Sequence, residues 1–371
     1  DGIRDSPVTG VQTCALPIYE EIKDIKSEIY LGMARNFKRF EWLYFLLFGA
    51  SPAFSETFTE KNLSSFEKSA KGSYFKEQAT SLRMGDLGYI SETQDDLNIS
   101  INSIQEYIQD LKTALTKTHA EYENIGEFSD EQRIQLNTSV IQIENEYYST
   151  IRPKRICPSG ERPINILNSQ GIEYLELRCV DLDPFNPIGI DRSQIDFLDA
   201  FLLFCFTKES PPLDKKEASL LKENHKKIVN EGRNPNLKIY AQKGEASVSE
   251  LANELLEEMN QISEESGKFV FEEKNNRWSE SLKTQKEKIE DLNLTPSGKV
   301  IERLTSDNVS HEELGMEIAE KNLAFFENYN NSREEEFKRE ASLSKEQQKK
   351  MESQKSPPFE EYLAEFLNKV S

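Results

Sequence analysis

The chain has 371 residues, with 46 Lys and Arg against 66 Asp and Glu, a formal charge of −20. So acidic a chain lacks the cation excess needed to coat nucleic acid, and it repels anionic membranes. At 36% hydrophobic it is apolar enough to fold, while its longest uncharged apolar run, 42–50, is too short to span a bilayer; collagen-like, disulfide-scaffold and integral-membrane classes are excluded.

In chain order, residues 1–18 (DGIRDSPVTGVQTCALPI) come first and show neither a helical nor a strand period. They lack the charged start and apolar centre of a signal peptide. They do match the translation of the two constant parts of a common short-read sequencing adaptor. They are therefore expected to be a leader foreign to the protein, and the chain a fragment that has lost coding sequence upstream. Ile22, Ile25, Ile29, Met33, Phe37 and Phe40 recur at helical spacing and predict a helix over 20–48, closed by FGASPA at 48–53. Gly85 and Gly88 punctuate a strand-like run at 81–89, which suggests backbone brought close to a ligand or a bulge.

A helix is expected over 102–118, with Ser103 and Glu106 as its capping box. The segments 133–155 and 171–183 are the best strand signals. In the second, alternation sets Ile172, Tyr174, Glu176 and Arg178 on one face and Leu175, Leu177 and Cys179 on the other. DPFNPIG at 183–189 breaks that strand, and a helix over 191–208 follows, capped by Asp191 and apolar from Phe197 to Phe206. From Lys215 onward everything reads as charged helix with i, i+4 Glu/Lys pairs, ending in an amphipathic helix with Phe359, Tyr362, Phe366 and Leu367.

Cys14, Cys157, Cys179 and Cys205 form no CxxC pair, which predicts reduced thiols and a cytoplasmic location. His119, His225 and His311 lie too far apart for zinc spacing and read as surface or helix histidines. TPSGK at 295–299 is not a P-loop, and GxGxxG, GxSxG and HExxH are all missing. Glu176 and Arg178 stand out instead. Opposite charges at i, i+2 on one strand face suit either a cross-strand salt bridge on a solvated face, or a carboxylate for Mg²⁺ beside a guanidinium for a phosphoryl oxygen. By alternation Glu144, Glu146 and Tyr148 share a face, followed by a cationic patch of Arg152, Lys154 and Arg155 that points to an anionic ligand. Arg83, Asp86 and Tyr89 are candidates for binding a carboxylate.

LFGASPA (47–53), ATSLRMGDLGY (79–89), VIQIENEYYSTIRPKR (140–155), GIEYLELR (171–178), DLDPFNPIGID (181–191) and NEGRNP (230–235) occur in this order. Together they resemble the proteobacterial type of glutamate–cysteine ligase. The resemblance implies an α+β fold like that of glutamine synthetase, a curved antiparallel sheet with outer helices and a helical C-terminal part. It divides the chain into the leader (1–18), a partial catalytic domain (19–235) and a charged helical region (236–371).

It also implies ATP- and Mg²⁺-dependent joining of the glutamate γ-carboxylate to cysteine through γ-glutamyl phosphate, the first step of glutathione synthesis. Glu176 then looks like a Mg²⁺ ligand and Arg178 like the arginine facing the transferred phosphate. Tyr89 and Tyr148 look like cysteine-binding residues and Arg83 like a partner of a substrate carboxylate, while Arg152, Lys154 and Arg155 lie in a family motif without individual roles. The family's N-terminal third supplies further metal ligands that have no counterpart here, so this chain alone is expected to be inactive, and monomeric. Two other readings stay open, a related carboxylate–amine ligase with another acceptor and a non-catalytic helical scaffold.

Overall fold

The computed structural model describes the backbone of residues 9–58, 63–69, 71–85, 87–88, 92–95, 97–241, 244–270, 276–328 and 332–370, and side chains from residue 22. The fold is α+β, with long helices around small antiparallel sheets. Helix α1 (Thr9–Phe48) starts earlier than the apolar spacing predicts, its backbone being helical already from residue 9. Ile22, Ile25 and Ile29 of the expected stripe stay exposed, whereas Phe37, Leu43 and Phe45 are fully buried.

β1 (Ala53–Ser55), β2 (Glu67–Lys68) and β3 (Ser73–Phe75) form a three-stranded sheet in the order β1-β3-β2. The described residues of the 81–89 run do not form a strand. Leu82–Met84 is a 3-10 turn, because the Thr80 and Ser81 amides both reach the Val229 carbonyl and Leu82 reaches that of Ser51, which tie the backbone to a helix end rather than a ladder. Short α2 (Glu92–Asp95) precedes α3 (Ile104–Thr116), whose N-cap Ser103 accepts from the Glu106 amide as expected. Then come α4 (Ala120–Ile125) and the small hairpin β4 (Phe128–Ser129) and β5 (Gln132–Arg133).

The long strand expected over 133–155 is broken. Glu144–Glu146 is a 3-10 turn, and only β6 (Ile151–Lys154) is extended and paired near the segment's end. The cause is Glu144, which turns inward to a fully buried Arg162 at 3.0 Å and so cannot alternate with Glu146 and Tyr148. β6 pairs with β7 (Tyr174–Leu177) across α5 (Pro163–Gln170).

α6 (Arg192–Thr207) is capped by the Asp191 carboxylate on the Gln194 amide, and α7 (Lys215–Glu231) follows. The purely helical reading after Lys215 missed a hairpin, β8 (Lys238–Ala241) with β9 (Gly244–Ser247), where Gly244 takes a φ of 116° that side chains resist. The rest is helical: α8 (Val248–Val270), α9 (Arg277–Glu290), α10 (Pro296–Thr305), α11 (His311–Glu327), α12 (Glu334–Glu352) and α13 (Phe359–Asn368).

The main core gathers α1, α6, α7, α8 and α9 around Phe37, Phe45, Phe197, Phe201, Ile228 and Met259, and so draws residues from both sides of position 235. Phe37 meets Phe201 with ring centroids 5.5 Å apart, and Phe40 meets Phe204 edge-on at 5.2 Å. A second core joins α3 and α5 to Leu31 of α1 and Ile172, just before β7. The first core grips the β6–β7 ribbon, because Ile151, Leu175 and Leu177 pack into it. Among the described residues no helix is long and apolar enough to cross a membrane.

Candidate functional site

In the β6–β7 ribbon Arg152 lies opposite Glu176 and Lys154 opposite Tyr174. Directly opposed residues share a face, so these four point one way while Ile151, Leu175 and Leu177 point into the core. Glu176 Oε2 lies 4.0 Å from Arg178 Nε, with both side chains about one-third exposed at 36% and 34%. That oxygen is itself shielded from solvent and accepts no hydrogen bond. Arg152 is buried, donates from Nη2 to the Glu144 carbonyl at 2.9 Å, and leaves its Nε without an acceptor. Burial, and then the Arg152 charge, hold the Lys154 ammonium below its ordinary range against the pull of Glu176, with Arg178 adding to the depression. Three cations thus cluster about one acid, a surplus that favours an anion.

Tyr148 completes the face. Its hydroxyl donates to the Arg178 carbonyl at 3.1 Å and lies 3.3 Å from Met84 Sδ, and the Arg178 guanidinium sits 5.5 Å from its ring centre. Arg83 is brought near but is engaged: Nε donates to Asp181 Oδ1 at 2.5 Å and Nη2 to the Val180 carbonyl at 3.0 Å. Asp181 also accepts from Ala50 and the Ser51 hydroxyl, which locks the LFGASPA turn to the loop after β7. Arg155 is not brought to this face; it donates to Gln170 Oε1 and the Gln170 carbonyl, both at 2.9 Å, at the end of α5. Tyr89 and Asp86 lie outside the described residues.

Sequence reasoning missed the support beneath the ribbon. Glu41 of α1 is buried, accepts from Lys38 Nζ at 2.8 Å and from the Thr150 hydroxyl, and lies 3.4 Å from His225 Nδ1. Burial alone would raise its carboxyl, but Lys38 and His225 outweigh it and bring the value down to about 2. His225 also pairs through Nε2 with the Met84 carbonyl at 2.9 Å, so this carboxylate ties α1, α7, the 82–84 turn and β6 together. The sequence carries no signal for it, because Glu41 is one acid among many and Thr150 and His225 lie more than a hundred residues away. A cavity of about 600 Å³ opens beside this cluster, lined by Lys38, Glu41, Tyr148, Thr150 and His225. Glu176 and Arg178 are not in its lining, and Tyr148 borders both.

Residues 12–228 match the family model for glutamate–cysteine ligase. This chain belongs to the glutamate–cysteine ligase family. The expected resemblance is thereby borne out. Glutamate–cysteine ligases of Shewanella oneidensis and Pseudomonas entomophila are 37% and 40% identical, over 93% and 76% of this chain and 66% and 53% of their own. That of Pseudomonas aeruginosa is 36% identical over 93% of this chain and 65% of its own. The chain therefore spans about half to two thirds of the length of these curated relatives.

The crystal structure of the Francisella tularensis glutamate–cysteine ligase in complex with AMP superposes with a TM-score of 0.85 at 32% identity, covering 95% of this chain and 70% of that one. A bifunctional glutathione synthetase from Pasteurella multocida shares the fold, with a TM-score of 0.59 at 22% identity over 81% of this family member and 33% of the synthetase.

Proposed function

We propose that this chain carries the phosphate-facing part of an ATP-dependent glutamate–cysteine ligase site, acting in the cytoplasm on small-molecule substrates as a monomer. The observation that supports it is the single ribbon face on which Arg152, Lys154 and Arg178 surround Glu176. In the reaction an oxygen of the glutamate γ-carboxylate attacks the terminal phosphorus of ATP and releases ADP. The cysteine amine then attacks the acyl carbon and expels phosphate.

Both steps pass through crowded negative charge, so a fixed guanidinium and ammonium at the transferring group lower the barrier without reorganising. Arg178 is assigned to the transferred phosphate, held in place by Tyr148. Tyr148 is assigned to the edge of the cysteine subsite, with Tyr89 proposed as its companion there. Arg83 is proposed to face a substrate carboxylate from its pairing with Asp181, while Arg152 and Lys154 supply the background positive field; the same anion-binding role is proposed for Arg155 only after release from Gln170.

Glu176 fits Mg²⁺, because its shielded Oε2 accepts no hydrogen bond and Mg²⁺ is commonly held by one or two carboxylates together with substrate phosphates. Among the described residues no group of three His, Cys, Asp or Glu gathers into a metal site, which leaves Glu176 as one ligand rather than a cage. When bound, Mg²⁺ would neutralise phosphate charge; the protein's part is to present that oxygen beside Arg178.

Since the chain covers 53–66% of its curated relatives, binding rather than turnover is the readout of choice. Calorimetry with ATP should show binding that weakens about tenfold or more in Arg178→Met, as expected for loss of a charge-assisted contact. Equal affinity in the variant would remove Arg178 from the site.

A further inference from the structure

We propose that Lys288 of α9 is a site of acylation by small acyl phosphates, its amine standing in a cluster with Lys299, Asp183, Asp191 and the ring of Phe48. None of these residues belongs to the charged ribbon face, and the inference does not depend on the ligase reading. Three segments build the cluster: the end of α1, the 181–191 loop and the first turn of α10 all face Lys288 in the last turn of α9.

Lys288 differs from Lys38 and Lys208, which each hold a carboxylate, at 2.8 and 2.7 Å. It is half-buried and, among the described residues, has neither a hydrogen-bond acceptor nor an ion-pair partner. Its ammonium rests instead on Phe48, 4.6 Å from the ring centre. The nearby acids are occupied: Asp191 Oδ1 accepts from the Gln194 amide at 2.6 Å and Asp183 Oδ1 from the Phe185 amide at 3.0 Å. They pull on the charge without bonding it.

An ammonium so placed loses hydration that a neutral amine hardly needs. Burial, with exposed Lys299 adding to it, brings Lys288 down to about 8 against the pull of Asp191 and Asp183. At pH 7.5 about one-quarter of such an amine is neutral, against about one in a thousand of an ordinary lysine. The less basic amine is the weaker nucleophile, which trims the net advantage to about tenfold.

The step is an acyl transfer. The Lys288 nitrogen attacks the acyl carbon, and the C–N bond forms as the C–O bond to phosphate breaks. Phosphate leaves with that electron pair, and the surplus proton passes to water. Lys299 is the cation that receives the phosphate group. The product amide is uncharged and suits the half-buried place on Phe48, whereas a carbamate from carbon dioxide would set a new anion against Asp183 and Asp191.

The test is kinetics on the whole chain with acetyl phosphate and, separately, the uncharged N-hydroxysuccinimidyl acetate, each lysine being followed by peptide mass spectrometry across pH. At pH 7.5 acetyl phosphate should modify Lys288 about tenfold faster than exposed Lys345 of α12. The Lys288 rate should level off above about pH 8 while that of Lys345 keeps rising. Lys299→Met should slow Lys288 more with acetyl phosphate than with the uncharged ester, and unfolding in urea should abolish the lead.

Equal rates for Lys288 and Lys345, a Lys288 rate that climbs with pH as steeply as that of Lys345, or a lead that survives unfolding would each overturn the proposal. A lead with the uncharged ester alone, or equal slowing of both donors by Lys299→Met, would overturn the assignment to acyl phosphates. If Lys299→Met does not fold, the wild-type rates with the two donors decide the matter.

Discussion

Glu41 shows what a single buried charge can do beneath a site. A carboxylate taken out of water is stable only if its lone pairs and its charge are answered, and Lys38, Thr150 and His225 answer them. Its value is about 2 in the fold against 4.5 ordinarily, so the unfolded chain takes up a proton before the native state does. The resulting stabilisation, roughly 3 kcal/mol, is fully present above pH 4.5 and is lost as pH falls from there toward 2. Denaturant titrations of wild type and Glu41→Gln at pH 6 and pH 3 should show the difference between the two proteins shrinking at the lower pH. A difference independent of pH would deny the carboxylate this role. None of this was legible in the sequence, where Glu41 is one acid among many; its partners come from positions 38, 150 and 225, which only the fold brings together. Glu176 and Arg178 were legible because two unlike charges on one face of an apolar strand demand a reason. Arg155 misled because a cationic run in sequence need not share a face, and the chain leaves the ribbon after Lys154.

At the scale of elements, local rules predicted best where one helix decides its own ends. α6 begins as its capping pattern and apolar run required, and the Asp191 carboxylate accepts from the Gln194 amide at 2.6 Å. Asp191→Ala should lower stability by about 1 kcal/mol, the usual cost of losing an N-cap, and a thermal melt would register it. No change would mean that the amide finds another acceptor. Prediction failed where partners far away in sequence choose the conformation. Residues 133–155 alternate well enough for a strand, but Arg162 draws Glu144 inward and the ladder is confined to four residues of β6. Ser81 and Leu82 likewise give up an extended run, their amides donating to the Val229 and Ser51 carbonyls. The glycine of LFGASPA has a plainer explanation, since a Cβ at Gly49 would stand 2.7 Å from the carbonyl oxygens of Phe45 and Thr80.

Across the whole molecule, the main core fixes the β6–β7 ribbon from behind, which leaves its charged face to chemistry. The C-terminal helix returns to the same region. Phe366 of α13 lies 4.5 Å from the Arg162 guanidinium, and Glu360 pairs with Arg133, so the far end of the chain closes over the ion pair that shapes the approach to β6. The α+β class was readable through the family resemblance, whereas this return was not, because α12 buries nothing and gives no hint of where the chain goes next. The central claim is that the ribbon face receives a metal-bound nucleotide phosphate through Glu176. The most direct measurement is ATP affinity with and without Mg²⁺ for wild type and Glu176→Gln. Mg²⁺ should tighten binding to wild type, and Glu176→Gln should lose that gain while binding metal-free ATP at least as well. An equal gain from Mg²⁺ in both proteins would contradict the account.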